Sequence, residues 1–108
     1  MCKRSDAMSF YKSTAWKSKR RNILRRDDYR CQECKRYGRS TLATTVHHIE
    51  PLKDKPELRL EGNNLVSLCG KCHERMHDRD TNTLTPLGVE WVRRKNCGYI
   101  NRKQRRTV

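Results

Sequence analysis

The chain has 108 residues, 26 Lys and Arg against 12 Asp and Glu for a formal net charge of +14, and only 33% hydrophobic residues with a single Phe. That length suits one domain whose core is small enough to need a staple, either disulfides or a metal. No run is long and apolar enough to span a membrane, and no amphipathic anchor accompanies the charge, so the polyanion it favours is a nucleic acid.

Residues 1–12 show no periodicity and are expected to form a flexible N-terminus. The opening Met1-Cys2-Lys3-Arg4 lacks the apolar stretch of a signal peptide, so the expected location is cytoplasmic, where thiols stay reduced. Ser13 or Thr14 can cap a helix running to Arg26. Trp16, Ile23 and Leu24 share one face of it, and Lys17, Arg20, Arg21 and Arg25 cover the others. Those basic faces suit either plain solvation or contact with phosphates, and the two uses are compatible.

The helix should end near Asp27-Asp28, because Cys31-Gln32-Glu33-Cys34 must turn tightly for two thiolates to face one ion. Residues 35–41, with Gly38, read as a turn. Residues 42–49 read as a strand that Pro51 ends, and 52–63 as a polar loop. Leu65 to Leu68 is expected as a second strand, and Gly70 to about Asp78 as a helix. Residues 81–85 read as a turn, and Pro86 begins a last short helix ending near Val92. Residues 93–108, which include Arg93 and Arg94 and contain no acid, are expected to be an extended basic arm. The expected division is thus 1–12, 13–92 and 93–108.

Four of the six cysteines fall as Cys31-x-x-Cys34 and Cys69-x-x-Cys72, which predicts a structural Zn2+ held by four thiolates. Such an ion contributes roughly 10–16 kcal/mol to folding in small domains, enough to offset a thin core. It also fixes the start of the helix at Gly70, and so the direction of His73 and His77. Cys2 and Cys97 are left over.

All four histidines lie between positions 47 and 77. His73 and His77, one turn apart on the expected helix, can present two nitrogens to one cation. His47 and His48 would face opposite sides of a regular strand, so both reach one site only where the strand bends or ends. Asn64 can bridge the loop through its amide and hold the His48 ring in register. The cluster predicts a metal site with a general base beside it.

Val46-His47-His48-Ile49, then Asn63-Asn64-Leu65, then Leu68-Cys69-Gly70-Lys71-Cys72-His73-Glu74-Arg75-Met76-His77 resemble the HNH endonucleases, whose ββα-metal core is shared by colicin-type DNases and many small phage nucleases. The resemblance covers about residues 14–80. It implies an α+β fold: a small zinc-stapled ββα-metal (His-Me finger) domain with an N-terminal helix and a basic C-terminal segment. It implies a metal-dependent DNA endonuclease with His48 as general base and Asn64 positioning that base. His47, His73 and His77 become the metal ligands, His77 by similarity to members with H-x-x-x-H. Many relatives carry Asp-His where this chain has His47-His48, which makes an all-nitrogen ligand set.

On that reading a divalent cation, Mg2+, Mn2+, Ni2+ or Zn2+, neutralises the scissile phosphate while His48 activates a water, leaving a 5′-phosphate and a 3′-hydroxyl. Imidazoles suit the transition metals, and cellular abundance favours Mg2+ or Mn2+. Lys17, Arg20, Arg21, Arg25, Arg93 and Arg94 are the expected phosphate contacts, binding DNA without sequence preference. A rival reading, a non-catalytic zinc-ribbon module, accounts for the cysteines and the charge but leaves the histidines and Asn64 idle. Small HNH proteins like this one accompany phage packaging machinery, which implies a terminase partner by analogy for a monomer or weak dimer.

Overall fold

The computed structural model describes residues 9–81 and 83–97. Its first long element is α1, Thr14–Arg26, which forms where a capping serine precedes a run with apolar residues at helical spacing. The Ser13 side chain accepts from the Trp16 N–H, Arg25 and Arg26 complement the dipole in the last turn, and Trp16, Ile23 and Leu24 are buried. Residues 9–12 are helical as well, and the Phe10 ring packs on Trp16 with centroids 5.3 Å apart. The segment expected to be flexible over 1–12 is thus helical at 9–12, and residues 1–8 lie outside the described residues.

The chain leaves α1 through Asp28 and Tyr29, at φ 58° and 57°. Left-handed backbone costs non-glycine residues roughly 1–2 kcal/mol each. Hydrogen bonds hold it in place: the Tyr29 N–H donates to Leu24 O at 2.8 Å, and Ala43 N–H to Tyr29 O at 2.9 Å. The buried Asp27 carboxylate accepts from Arg26 at 2.8 and 2.9 Å and from the Ser67 N–H at 3.0 Å, tying the helix end to the sheet. This sharp exit delivers Cys31, the cap of the short helix α2, Gln32–Arg36.

Strands β1, Thr45–His48, and β2, Leu65–Leu68, pair antiparallel with Thr45 opposite Leu68 and His48 opposite Leu65. β1 starts later than expected, because Leu42 makes only a single bridge to Arg30 and stays exposed. All four β2 residues are buried, since the hairpin is covered on both faces. One side packs on Trp16, Ile23 and Leu24 of α1; the other packs on the four-cysteine region, Met76 and Trp91. Two 3-10 turns, Pro56–Leu58 and Gly62–Asn64, shape the loop between the strands.

After β2 comes α3, Gly70–Glu74, which stops one turn short of the expected Asp78. Its end tightens into i→i+3 bonds, Arg75 N–H to Cys72 O and Met76 N–H to His73 O, both 3.1 Å. The freed Arg75 and Met76 carbonyls accept from the Thr85 hydroxyl and N–H. The chain then extends as β3, His77–Asp78, paired with β4, Thr83–Leu84, where only a turn was expected over 81–85. His77 is therefore a strand residue, not a helical one.

The last helix, α4, spans Pro86–Asn96, with Thr85 as N-cap and Pro86 in the first turn. It crosses the Met76 turn at Gly88, where a Cβ would come within 2.5 Å of Met76 O. Its buried Trp91 donates from Nε1 to Glu33 Oε1 at 2.8 Å, and Lys95 pairs with Glu50. The arm expected from residue 93 is thus folded through 96; residues 98–108, with Arg102, Lys103, Arg105 and Arg106, lie outside the described residues. Among the described residues, no helix is long and apolar enough to cross a membrane.

Candidate active site

The four cysteines of the two pairs converge from the cap of α2 and the start of α3, their sulfurs within 4.8 Å of one another. Cys34 Sγ lies 3.9 Å from Cys69 Sγ and 3.7 Å from Cys72 Sγ. Zn–S bonds of about 2.3 Å in a tetrahedron put sulfurs about 3.8 Å apart, so the spacing fits a tetrathiolate. Burial and the neighbouring sulfurs push the Cys72 thiol up. Partial burial also raises Cys69, but the Cys72 N–H and the other sulfurs outweigh it and bring Cys69 to about 7. Thiols this crowded share their protons until a cation lets all of them ionise.

A second group forms from His47 in β1, His73 in α3 and His77 at the start of β3. Their ligand nitrogens lie within 4.8 Å of one another, with ring centroids 5.2 to 6.0 Å apart. His47 is 1% exposed, and its Nε2 is buried without a hydrogen-bond partner among the described residues. A buried polar atom left unpaired is costly unless something else binds it. Burial, reinforced by the charges of His73, His77 and His48, drives the His47 pKa well down. Burial likewise lowers His73, with help from His77, and lowers His77, with help from Lys53. Three neutral imidazoles with converging lone pairs fit a divalent cation of the borderline transition-metal class.

His48 sits 6% exposed with its ring stacked on Trp16, centroids 5.0 Å apart and planes 22° from parallel. Its Nε2 lies 3.0 Å from Arg59 O. A carbonyl only accepts, so Nε2 carries the proton and the lone pair sits on Nδ1. Nδ1 is 3.4 Å from the Tyr11 hydroxyl. Burial lowers the His48 pKa, and the Arg59 carbonyl opposes this only in part. His47 and His48 line one cavity of about 440 Å³ with Tyr11, Trp16, Arg20, Lys53, His73 and His77. Both border it at the end of β1, where the Ile49 N–H donates to Asn64 O at 2.8 Å in continuation of the strand register.

Asn64 is fully buried, and its side-chain hydrogen bonds go to backbone atoms rather than to the His48 ring. Its Oδ1 accepts from the Glu50 N–H at 2.8 Å, and its Nδ2 donates to Glu50 O at 3.1 Å and Leu58 O at 3.5 Å. It clamps the exit of β1 to the loop that carries the Arg59 carbonyl.

The expected basic contacts separate into two groups. Lys17, Arg21 and Arg25 are exposed on α1, while Arg20 lines the cavity and donates to Thr44 O at 3.0 Å. On α4, Arg93 pairs with Glu90 at 2.7 Å and Arg94 is half-buried over the Trp91 ring, at 5.6 Å, so Arg94 packs the helix. Tyr11, Lys53 and the Arg59 carbonyl were not singled out by sequence reasoning. Tyr11 precedes any periodic segment, and the other two lie in the polar loop, so no local pattern marks them.

A family model described as HNH endonuclease matches residues 31–79. No curated protein matches the chain. Among solved structures, the chain is similar to the HNH endonuclease of the deep-sea thermophilic bacteriophage GVE2, crystallised with a manganese ion. The two are 40% identical, with a TM-score of 0.65 and a match covering 67% of this chain and 78% of that one. With that identity, and with the histidine and cysteine clusters assembled on this fold, the chain belongs to the HNH endonuclease family and is a nuclease that hydrolyses phosphodiester bonds.

Proposed function

We propose that the protein is a metal-dependent DNA endonuclease with His48 as its general base. The observation that carries this is the unpartnered Nε2 of His47 facing His73 and His77, in the same cavity as the lone pair of His48. His47, His73 and His77 would hold a divalent cation, which would supply Lewis-acid stabilisation of the charge developing on the scissile phosphodiester. The manganese in the phage relative and the all-nitrogen donor set favour Mn2+ or a later transition metal over Mg2+. The four cysteines hold a structural Zn2+.

His48 is held with Nε2–H on the Arg59 carbonyl, and its lowered pKa keeps it neutral at pH 7. Nδ1 therefore accepts a proton from the attacking water. Attack in line breaks the P–O3′ bond and leaves a 5′-phosphate and a 3′-hydroxyl. Arg20, and Lys53 beside His77, place positive charge along the cavity for the phosphodiester. Lys17, Arg21 and Arg25 extend that charge over the outer face of α1, giving salt-dependent binding without base readout. Asn64 positions the base indirectly, through Glu50 and Leu58.

The test is nicking of supercoiled plasmid by zinc-loaded protein with Mn2+, Mg2+ or Ni2+ added, wild type beside His48→Ala. Nicking by wild type in Mn2+ and none by His48→Ala, with unchanged DNA affinity, is expected. His48→Ala cutting at the wild-type rate would place the base elsewhere.

A further inference from the structure

The turn at residues 9–12 brings two rings, Phe10 and Tyr11, toward the imidazole on which Trp16 of α1 is already stacked. Ser13 fixes this turn, its N–H and hydroxyl donating to Phe10 O at 2.9 and 2.6 Å. Phe10 is packed against the apolar cluster of Trp16, Leu24 and Val46. Tyr11 stands edge-on to Trp16, centroids 5.5 Å apart and planes at 79°, and edge-on to His48, at 6.0 Å and 66°. Its hydroxyl reaches the rim of the histidine cavity beside Nδ1.

Building on the proposed function, we infer that the Tyr11 hydroxyl is a further catalytic group, holding the attacking water against His48 Nδ1. The imidazole has one nitrogen committed to Arg59 O, so Nδ1 is the atom that must receive the proton. A water held by Nδ1 alone can pivot about that single bond. A second anchor fixes the direction of its remaining lone pair, and in-line attack needs that direction. The hydroxyl is 3.4 Å from Nδ1, against about 2.8 Å for a good O–H···N bond, so the direct contact is loose. One water can approach both atoms. Tyr11 is 43% exposed, with room to admit it, and burial of the ring holds the phenol in its protonated form.

The step balances within hydrolysis. The O–H bond of the water breaks toward Nδ1 while its oxygen bonds phosphorus. The P–O3′ electron pair leaves on O3′, which takes a proton from solvent. Tyr11 keeps its own proton and only steers.

Tyr11→Phe keeps every ring contact and removes the hydroxyl. With Mn2+ saturating, kcat for plasmid nicking should fall on the order of tenfold, about what one positioned hydrogen bond is worth at a barrier. KM for DNA, Mn2+ affinity and the urea midpoint should stay at wild-type values. A wild-type or faster kcat overturns the inference, as does a slower kcat accompanied by a fallen urea midpoint. His48→Ala is run alongside: if it is inactive while Tyr11→Phe matches wild type, only the Tyr11 inference fails. If wild type does not nick, or His48→Ala still does, the reading of His48 fails and takes Tyr11 with it.

Discussion

Replacing Asn64 by Ala tests whether this residue acts on the reaction or on the backbone around it. The side chain makes two good hydrogen bonds, to the Glu50 N–H at 2.8 Å and to Glu50 O at 3.1 Å, and a long one to Leu58 O at 3.5 Å. Truncation removes the first two, at about 1 kcal/mol each, and orphans a donor and an acceptor at about 1–3 kcal/mol each if water cannot reach them. Glu50 is half-buried, so water replaces part of what is lost. A cost of about 2–3 kcal/mol is expected, large against the 5–15 kcal/mol typical of small domains. Urea unfolding of the zinc-loaded protein should show a lower midpoint at an unchanged m-value. The slackened loop also carries the carbonyl that orients His48, so kcat for nicking falls while KM for DNA holds. An unchanged midpoint with activity abolished would refute the backbone-clamp account, because it would mean that Asn64 works directly on the reacting groups.

Three further outcomes follow from the same geometry. His47→Ala should weaken Mn2+ binding by more than about a hundredfold, since even a residue merely supporting a ligand is worth 10- to 100-fold; calorimetric titration showing near-wild-type affinity would remove His47 from the metal site. Stripping the tetrathiolate zinc should unfold the domain, given roughly 10–16 kcal/mol of metal-coupled folding energy; far-UV circular dichroism would contradict this by showing a native spectrum in protein verified to be zinc-free. At saturating Mn2+, the nicking rate should rise with pH and level off at a break below 6.5, the ordinary imidazole value. Burial lowers the His48 pKa, so the neutral base persists to more acidic pH than free imidazole would. A break above 6.5 would contradict that ordering.

The parts of the site legible in the sequence are those fixed by short spacings. A C-x-x-C segment bends two sulfurs toward one point whatever surrounds it, so both knuckles can be read directly from positions 31, 34, 69 and 72. The apolar face of α1 follows equally from Trp16, Ile23 and Leu24. His77 shows the opposite case. Four residues after His73 it reads as the next turn of a helix, and the helix ends before reaching it. The reason lies in Thr85, which takes the Arg75 and Met76 carbonyls, and in Gly88, which lets α4 cross there. Neither partner is visible from the local pattern at 70–78. The same holds for α4 beyond Val92, where the apolar run ends but Lys95 finds Glu50 and Arg94 covers Trp91. Asn64 was legible as a bridge of the loop, but its partners are backbone atoms of Glu50 and Leu58 that no side-chain pattern announces.

The altered place of His77 changes what would hold the proposed metal centre together. Were His73 and His77 both on one zinc-anchored helix, the tetrathiolate would set two of the three ligands. Instead each imidazole is fixed by a different contact. His47 rests on the β1–β2 pairing and the Asn64 clamp just beyond it. His73 rests on α3, whose start is pinned by Cys69 and Cys72. His77 rests on the β3–β4 hairpin, held by Thr85 and by the crossing of α4 at Gly88. The three supports meet again at α4, where Trp91 bonds Glu33 inside the first knuckle and Lys95 pairs with Glu50 beside the clamp. A helix that looks peripheral in the sequence therefore ties the four-cysteine cluster to β1, which is how a chain with so small an apolar core can keep three separately carried histidines in register.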